Sequence, residues 1–225
     1  MNQTQIKQHT ETAKTMFAME NISKVYRTEL IETHALRNFT LQVNEGEFVA
    51  ITGPSGSGKT TFLNIAGLLE TYSSGNYFLD GVNTHDLSDN QLSHLRNSKI
   101  GFVFQGFNLI PDLNAYDNIE VPLRYRNMNR SERKERVQQA LARVGLESRA
   151  QHFPAQLSGG QQQRIAVARA IAGSPAFIRA DEPTGNLDSL MARQVIERRE
   201  KIYVQGTTII MVTHDQDLAR RTQRH

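Results

Sequence analysis

The chain has 225 residues, enough for one large domain or one domain with a grafted subdomain and too few for a multi-domain machine. Its 26 Lys and Arg against 23 Asp and Glu leave a formal charge of only +3, so a nucleic-acid role cannot rest on bulk charge; the one obvious basic cluster is Arg220, Arg221 and Arg224. The absence of Cys excludes disulfide scaffolds, thiolate zinc sites, iron–sulfur clusters and Cys nucleophiles together, and no run of 18 apolar residues is present to span a bilayer.

Residues 1–16 are rich in Gln and Thr without periodicity and are read as a mobile N-terminal extension, leaving 17–225 as a single domain. The first residues carry no signal-peptide pattern, which together with the missing Cys points to a cytoplasmic protein. Phe39, Leu41 and Val43 alternate with polar residues and predict a half-exposed strand; after a turn at Asn44-Glu45-Gly46, Phe48 to Ile51 run continuously apolar and predict a buried one. Further buried strands are expected at 100–104, 176–180 and 208–212, with helical patterns between them, the signature of an α/β domain with a largely parallel sheet. The interval 111–144 offers helix patterns and no strand. Its clearest helix starts at the N-cap Asn129 with Glu132 three residues on, places Val137, Ala140, Leu141 and Val144 on one face, and stops at Gly145. An all-helical insertion, about 107–172, is therefore expected within the α/β core.

Directly after the first buried strand stands Gly53-Pro54-Ser55-Gly56-Ser57-Gly58-Lys59-Thr60, which satisfies the phosphate-loop pattern G-x-x-x-x-G-K-[ST] in its required context of strand before and helix after. Small residues let the backbone wrap a phosphate chain with its N–H groups inward, and the helix adds its positive N-terminal end. Lys59 is expected at the β and γ phosphates, the Thr60 hydroxyl at Mg²⁺, and Thr61 at the α-phosphate. A second carboxylate-bearing strand end, Phe177-Ile178-Arg179-Ala180-Asp181-Glu182, supplies Asp181 for Mg²⁺ and Glu182 as general base or water-positioner. An Asp-Glu pair by itself is most often a solvated strand end; the phosphate loop reverses that reading.

Leu157-Ser158-Gly159-Gly160-Gln161, followed by Gln162-Gln163-Arg164 and an Ala-rich helix, separates this chain from other phosphate-loop proteins. With these residues the chain resembles the ATP-binding subunits of ABC transporters, whose signature is LSGGQ, and the resemblance runs in order from about Phe17 to Gln216. It implies a phosphate-loop NTPase fold, a RecA-like core with an antiparallel β subdomain plus a helical subdomain. It also implies that Tyr26 stacks on adenine, that Gln105 is a sensor touching Mg²⁺ or the attacking water, that Asn186-Leu187-Asp188 is the D-loop, and that His214 contacts the γ-phosphate. Ser158 and the Gly159 and Gly160 amides open a helix and form a second anion site beside Gln161. Two anion sites and one nucleotide suggest two chains. In the family the signature of each subunit closes over the ATP held by the other, so ATP favours a head-to-tail homodimer and hydrolysis releases it.

The runs Glu32-Thr33-His34-Ala35-Leu36, Gly101 to Gln105 with Phe107 to Pro111, and Asp181 to Asp188 resemble the bacterial branch containing lipoprotein-release and macrolide-export ATPases. That resemblance implies a peripheral position on the inner face of the cell membrane, an integral membrane permease as partner and no nucleic acid. Three departures stand out. Arg179 interrupts a buried strand where the family has an aliphatic residue, a costly position unless it meets a carboxylate or solvent. Arg198 and Arg199 fall within a helical apolar stripe marked by Met191, Val195 and Ile202. The chain continues only briefly past His214, where the family adds further strands and a helix, so the closing part of the domain is expected to be missing. These departures support one alternative, a degenerate subunit that binds ATP with little turnover; a separate alternative, from a different class, is a non-transport ABC ATPase working on DNA or ribosomes, which usually carries two cassettes, zinc-binding Cys insertions or long coiled coils.

Overall fold

The computed structural model describes residues 14–182, 207–220 and 222–224. Two four-stranded sheets organise them. One is antiparallel, in the order β2-β1-β4-β5, built from β1 (Thr15–Arg27), β2 (Glu32–Asn44), β4 (Ser74–Leu79) and β5 (Val82–Asn83). The other is parallel, in the order β3-β8-β7-β6, built from β3 (Phe48–Ile51), β6 (Ile100–Val103), β7 (Phe177–Asp181) and β8 (Thr208–Val212). The helices are α1 (Lys59–Ala66), α2 (Asp89–Lys99), α3 (Ala115–Arg124), α4 (Arg130–Val144), α5 (Gly159–Ile171) and the short α6 (Gln216–Arg220).

The expected buried strands are all present, with edges moved by a residue: Phe104 lies beyond β6, and β7 begins at Phe177. The segments flanking the turn at 44–46 belong to different sheets, because Phe48 to Ile51 pair with Ile209 to Val212 in parallel while β2 pairs with β1. A short β4–β5 hairpin turns through Asp80 and Gly81, both at positive φ (47° and 78°), as a tight primed turn requires. Beyond β8, Arg224 bridges in parallel to Val49 and so adds to the open edge of β3.

Period-two alternation divides the parallel sheet between two cores. Ala50, Val103, Ile178, Ala180, Ile209 and Met211 face the helical layer of α3, α4 and α5. Val49, Ile100, Phe177, Ile210 and Val212 face α1 and the antiparallel sheet, where Phe17, Tyr77 and Phe177 form an aromatic cluster with ring centroids 5.0 and 5.9 Å apart. Each large side chain buried this way contributes roughly 1.5–3 kcal/mol. The Tyr77 hydroxyl, wholly buried, donates to the Ala66 carbonyl at 2.8 Å and ties the antiparallel sheet to the end of α1.

Helix α4 follows its sequence pattern residue by residue. Asn129 caps it by accepting from the Glu132 amide at 2.9 Å, the buried positions are Val137, Ala140, Leu141 and Val144, and Gly145 ends it in the left-handed conformation. Between β6 and β7 the described chain is helical throughout its regular elements. Gly101 shows why the layer fits so closely: a Cβ there would lie 2.6 Å from the Ala170 carbonyl of α5. Arg198, Arg199 and the stripe Met191, Val195 and Ile202 lie outside the described residues, as do residues 1–13 of the extension expected at 1–16 and the segment Asn186-Leu187-Asp188; Thr15 and Met16, expected in that extension, are already part of β1, with Met16 buried.

Candidate nucleotide site

In a parallel sheet all carboxyl ends emerge on one edge, and here that edge gathers the residues singled out in the sequence. Gly53 to Gly58 follow β3, Gln105 follows β6, Glu182 follows β7, and Thr213 and His214 follow β8. The loop 53–58 leads directly into α1, whose N-cap is Gly58, at φ 88° and without any side-chain cap. Only glycine fits at 58, since a Cβ would approach the Ala35 carbonyl to 2.3 Å. Pro54, Ser55, Gly56 and Ser57 are exposed on the loop, Gly53 is half-buried, and Thr60 and Thr61 sit in the first turn of α1 with Thr60 exposed. The Lys59 stem is buried, and its Nζ donates to the carbonyls of Gly53 at 2.8 Å and Pro54 at 2.7 Å, which places a full positive charge against the concave loop.

Glu182 and His214 meet: Oε1 of one lies 2.9 Å from Nε2 of the other, and both side chains remain partly open to solvent. Glu182 itself stands at φ 38°, an uncommon conformation for a non-glycine residue, held by its amide donating to the Val212 carbonyl at 3.0 Å. The structure thus brings into direct contact a carboxylate just beyond β7 and an imidazole just beyond β8.

Asp181 ends β7 with its carboxylate a quarter exposed, and Arg179, two residues earlier on the same face, reaches it at 3.4 Å. Arg179 is 2 % exposed. Its guanidinium also donates to Asn64 of α1 at 3.1 Å and lies 5.8 and 5.6 Å from the ring centroids of Phe102 and Phe104, which are stacked on each other. The Arg179 Nε has no acceptor among the described residues. Burial pulls the guanidinium below its ordinary pKa and Asp181 acts in the opposite sense, yet an Arg so placed stays charged. The sequence left two outcomes for this residue, a carboxylate or solvent; the structure has it on the carboxylate.

Tyr26 lies on β1, moderately exposed, with the Lys24 ammonium 4.9 Å from its ring centroid. Ser158 caps α5 and forms a capping box with Gln161: the Gln161 amide donates to Ser158 Oγ at 3.3 Å, and the Ser158 amide donates to Gln161 Oε1 at 2.9 Å. Gly159 and Gly160 form the first turn beyond this cap. The signature is carried by the helical layer and the phosphate loop by the sheet edge and α1.

Sequence reasoning missed the residues that shape the segment after Gln105. Arg169 of α5 donates to the carbonyls of Phe107 and Asn108, two residues held at positive φ, and Asn118, 1 % exposed, clamps the backbone of Ile110, Leu113 and Asn114. The available signal was an Asn three residues from Ala115 and one from Ile119, among the apolar positions of α3.

A strand, a glycine-rich loop carrying Lys59, a helix N-terminus and a carboxylate on a neighbouring parallel strand define a phosphate-loop nucleotide-binding protein of the α/β class. The comparisons narrow the class. Residues 36–185 match the ABC transporter family. The chain is 46% identical over 209 residues to the uncharacterized ABC transporter ATP-binding protein YvrO of Bacillus subtilis, covering 93% of this chain and 91% of that one. It is 43% identical over 211 residues to the macrolide export ATP-binding/permease protein MacB of Escherichia coli, covering 94% of this chain but only 33% of the longer protein. Among solved structures it superposes with a TM-score of 0.82 and 45% identity on the ATP-binding cassette MJ0796, a dimer in a post-hydrolysis state bound to ADP and Pi, with 92% of each chain covered; the MJ0796 protein is from Methanocaldococcus jannaschii. The chain belongs to the ABC transporter family, as an ATP-binding and ATP-hydrolysing subunit.

Proposed function

We propose that the subunit hydrolyses ATP in a head-to-tail homodimer and passes the resulting motion to an integral membrane permease, from the cytoplasmic face of the membrane. The observation that carries the catalytic part is the 2.9 Å contact between Glu182 and His214 at the edge that also bears the phosphate loop. In this reading the loop amides of residues 53–58, with Lys59 and Thr61, hold the phosphates, and Tyr26 takes the adenine. Glu182 orients the attacking water and accepts its proton while the bond between the γ-phosphorus and the bridging oxygen breaks, giving ADP and phosphate. His214 holds the Glu182 carboxylate in place through Nε2 and lies with Gln105 at the γ-phosphate end of the site. Ser158, Gly159, Gly160 and Gln161 close over the nucleotide of the opposite subunit. The unit that does this is the single domain from 17 onward with its helical insertion at about 107–172.

The donor set at the strand edge suits a hard divalent cation: the exposed Thr60 hydroxyl, the partly exposed Asp181 carboxylate and the Gln105 amide are all oxygen donors. When bound there, Mg²⁺ supplies charge neutralisation of the phosphates.

The permease contact is assigned to a groove of about 550 Å³ between α2 and the helical layer, beside β6, lined by Leu69, Phe102, Phe104, Val121 and Tyr125 with Arg126. It adjoins the Gln105 segment, so a partner seated there senses that segment directly. Among the described residues no helix is long and apolar enough to cross a membrane, which fits a separate membrane partner. Turnover of the purified chain against its Glu182→Gln variant tests the catalytic part: a fall of about 10²–10⁴-fold is expected for loss of a general base. Equal rates would sink hydrolysis and favour the degenerate, ATP-holding alternative. Co-purification with a permease separates the transport reading from a non-transport ABC ATPase.

A further inference from the structure

We infer that Arg179 is a built-in counter-ion of Asp181, and that it lessens the dependence of nucleotide binding on a divalent cation at this site. The inference rests on the nucleotide-site reading above. Period-two geometry puts residues 179 and 181 of β7 on one face, and the guanidinium lies 3.4 Å from the Asp181 carboxylate, the residue that would hold the metal.

The cation cannot withdraw. It is 2 % exposed, walled by the Phe102 and Phe104 rings on one side and by Asn64 on the other, and its stem packs where a Cβ on Gly67 would come within 3.2 Å of its Cδ. A guanidinium does not lose its proton under any condition in which the protein folds. The positive charge is therefore a permanent part of the metal-binding edge. Its contact with Asp181 engages one carboxylate oxygen, and its repulsion acts on any dication that the other oxygen recruits. Toward a polyanionic nucleotide the same charge is attractive. The two effects combine in one direction: binding of ATP without metal is favoured, and the gain on adding metal is reduced. Asn64, which holds the guanidinium, is a residue of α1, so the charge is anchored to the helix that begins at the phosphate loop.

Equilibrium binding of a fluorescent ATP analogue, measured in excess EDTA and in excess Mg²⁺, tests this without relying on turnover. The ratio of the two affinities is the coupling between metal and nucleotide. Arg179→Met, close in volume, and Arg179→Gln, which keeps a hydrogen-bonding end without charge, are both expected to raise that ratio by about tenfold or more over wild type. Should Arg179→Met fail to fold, Arg179→Gln decides. A ratio within twofold of wild type in a folded, nucleotide-binding uncharged variant would overturn the inference while leaving the nucleotide site standing. Failure of every form, wild type included, to bind nucleotide would overturn the site reading and the inference with it.

Discussion

At the start of α1 the N-cap is Gly58, no side chain reaches the first amides, and Lys59 folds its ammonium onto the carbonyls of Gly53 and Pro54; at the start of α5, Ser158 and Gln161 satisfy each other in a reciprocal capping box. Glycine stands at the N-cap of α1 and in the first position of α5, and both helices present a positive dipole end. The α1 end has no side-chain cap for its first amides, which the proposed function gives to phosphate oxygens, at a place where glycine is the one residue the backbone tolerates. At the α5 end the Gln161 amide is already met by Ser158 within the same chain, so the cap holds the first turn before any anion arrives. On the proposed function, the difference separates a site that binds from a site that closes: the first would provide affinity for nucleotide in one subunit, and the second would add contacts only when a second subunit brings its nucleotide against it.

The largest way to break this comparison is Lys59→Met. Removing the charge-assisted contacts at the α1 end is expected to weaken ATP binding by about 10–100-fold, read by titration with a fluorescent nucleotide. Unchanged affinity would mean that the α1 end is not the binding end. A smaller effect is expected at the other helix. Ser158→Ala removes the cap of α5 and should lower unfolding stability by about 1 kcal/mol. Monomer affinity for ATP should stay within about twofold, since that cap is outside the subunit's own phosphate loop, and ATP-dependent dimerisation, followed by light scattering, should fall. Loss of monomer affinity equal to that of the Lys59 variant would erase the distinction.

The smallest effect serves as a control away from both ends. Asp80, in the β4–β5 turn, accepts from Lys14 and Lys99, and these contacts hold its pKa below the ordinary carboxylate range. A carboxylate depressed in the folded state contributes stability above its unfolded pKa, and loses that contribution as pH falls through its folded value. In Asp80→Asn the thermal stability should therefore be slightly lower at neutral pH, and the acid-side decline below about pH 4 should flatten. Nucleotide affinity should not move. A steeper acid decline in the variant would contradict the assigned sign.

The readable parts of the sequence were those governed by short-range rules. Helix α4 was legible from cap to stop because capping, a 3.6-residue apolar repeat and a C-terminal glycine all act within a turn or two of the chain. The phosphate loop and the signature were legible for the same reason, being contiguous runs. Strand β1 was not, since its run from Thr15 to Arg27 mixes polar and apolar residues and shifts register against β2 at several points. The β4–β5 hairpin also escaped notice, although Asp80-Gly81 is a recognised turn signal, because β5 is only two residues long.

The amino-acid sequence by itself determined the chemical inventory and its order: the loop around Lys59, the carboxylates Asp181 and Glu182, the signature at Ser158, and His214. Tertiary structure alone decided which of these meet. Glu182 reaches His214 because β7 and β8 are parallel neighbours whose carboxyl ends share an edge, and Arg179 stays buried because Asp181, Asn64 and the rings of Phe102 and Phe104 surround it. Caps, turns and periodicity are set by residues a few positions apart. Strand neighbours and the partners of a buried charge are set by packing between segments distant in the chain, and no local pattern specifies them.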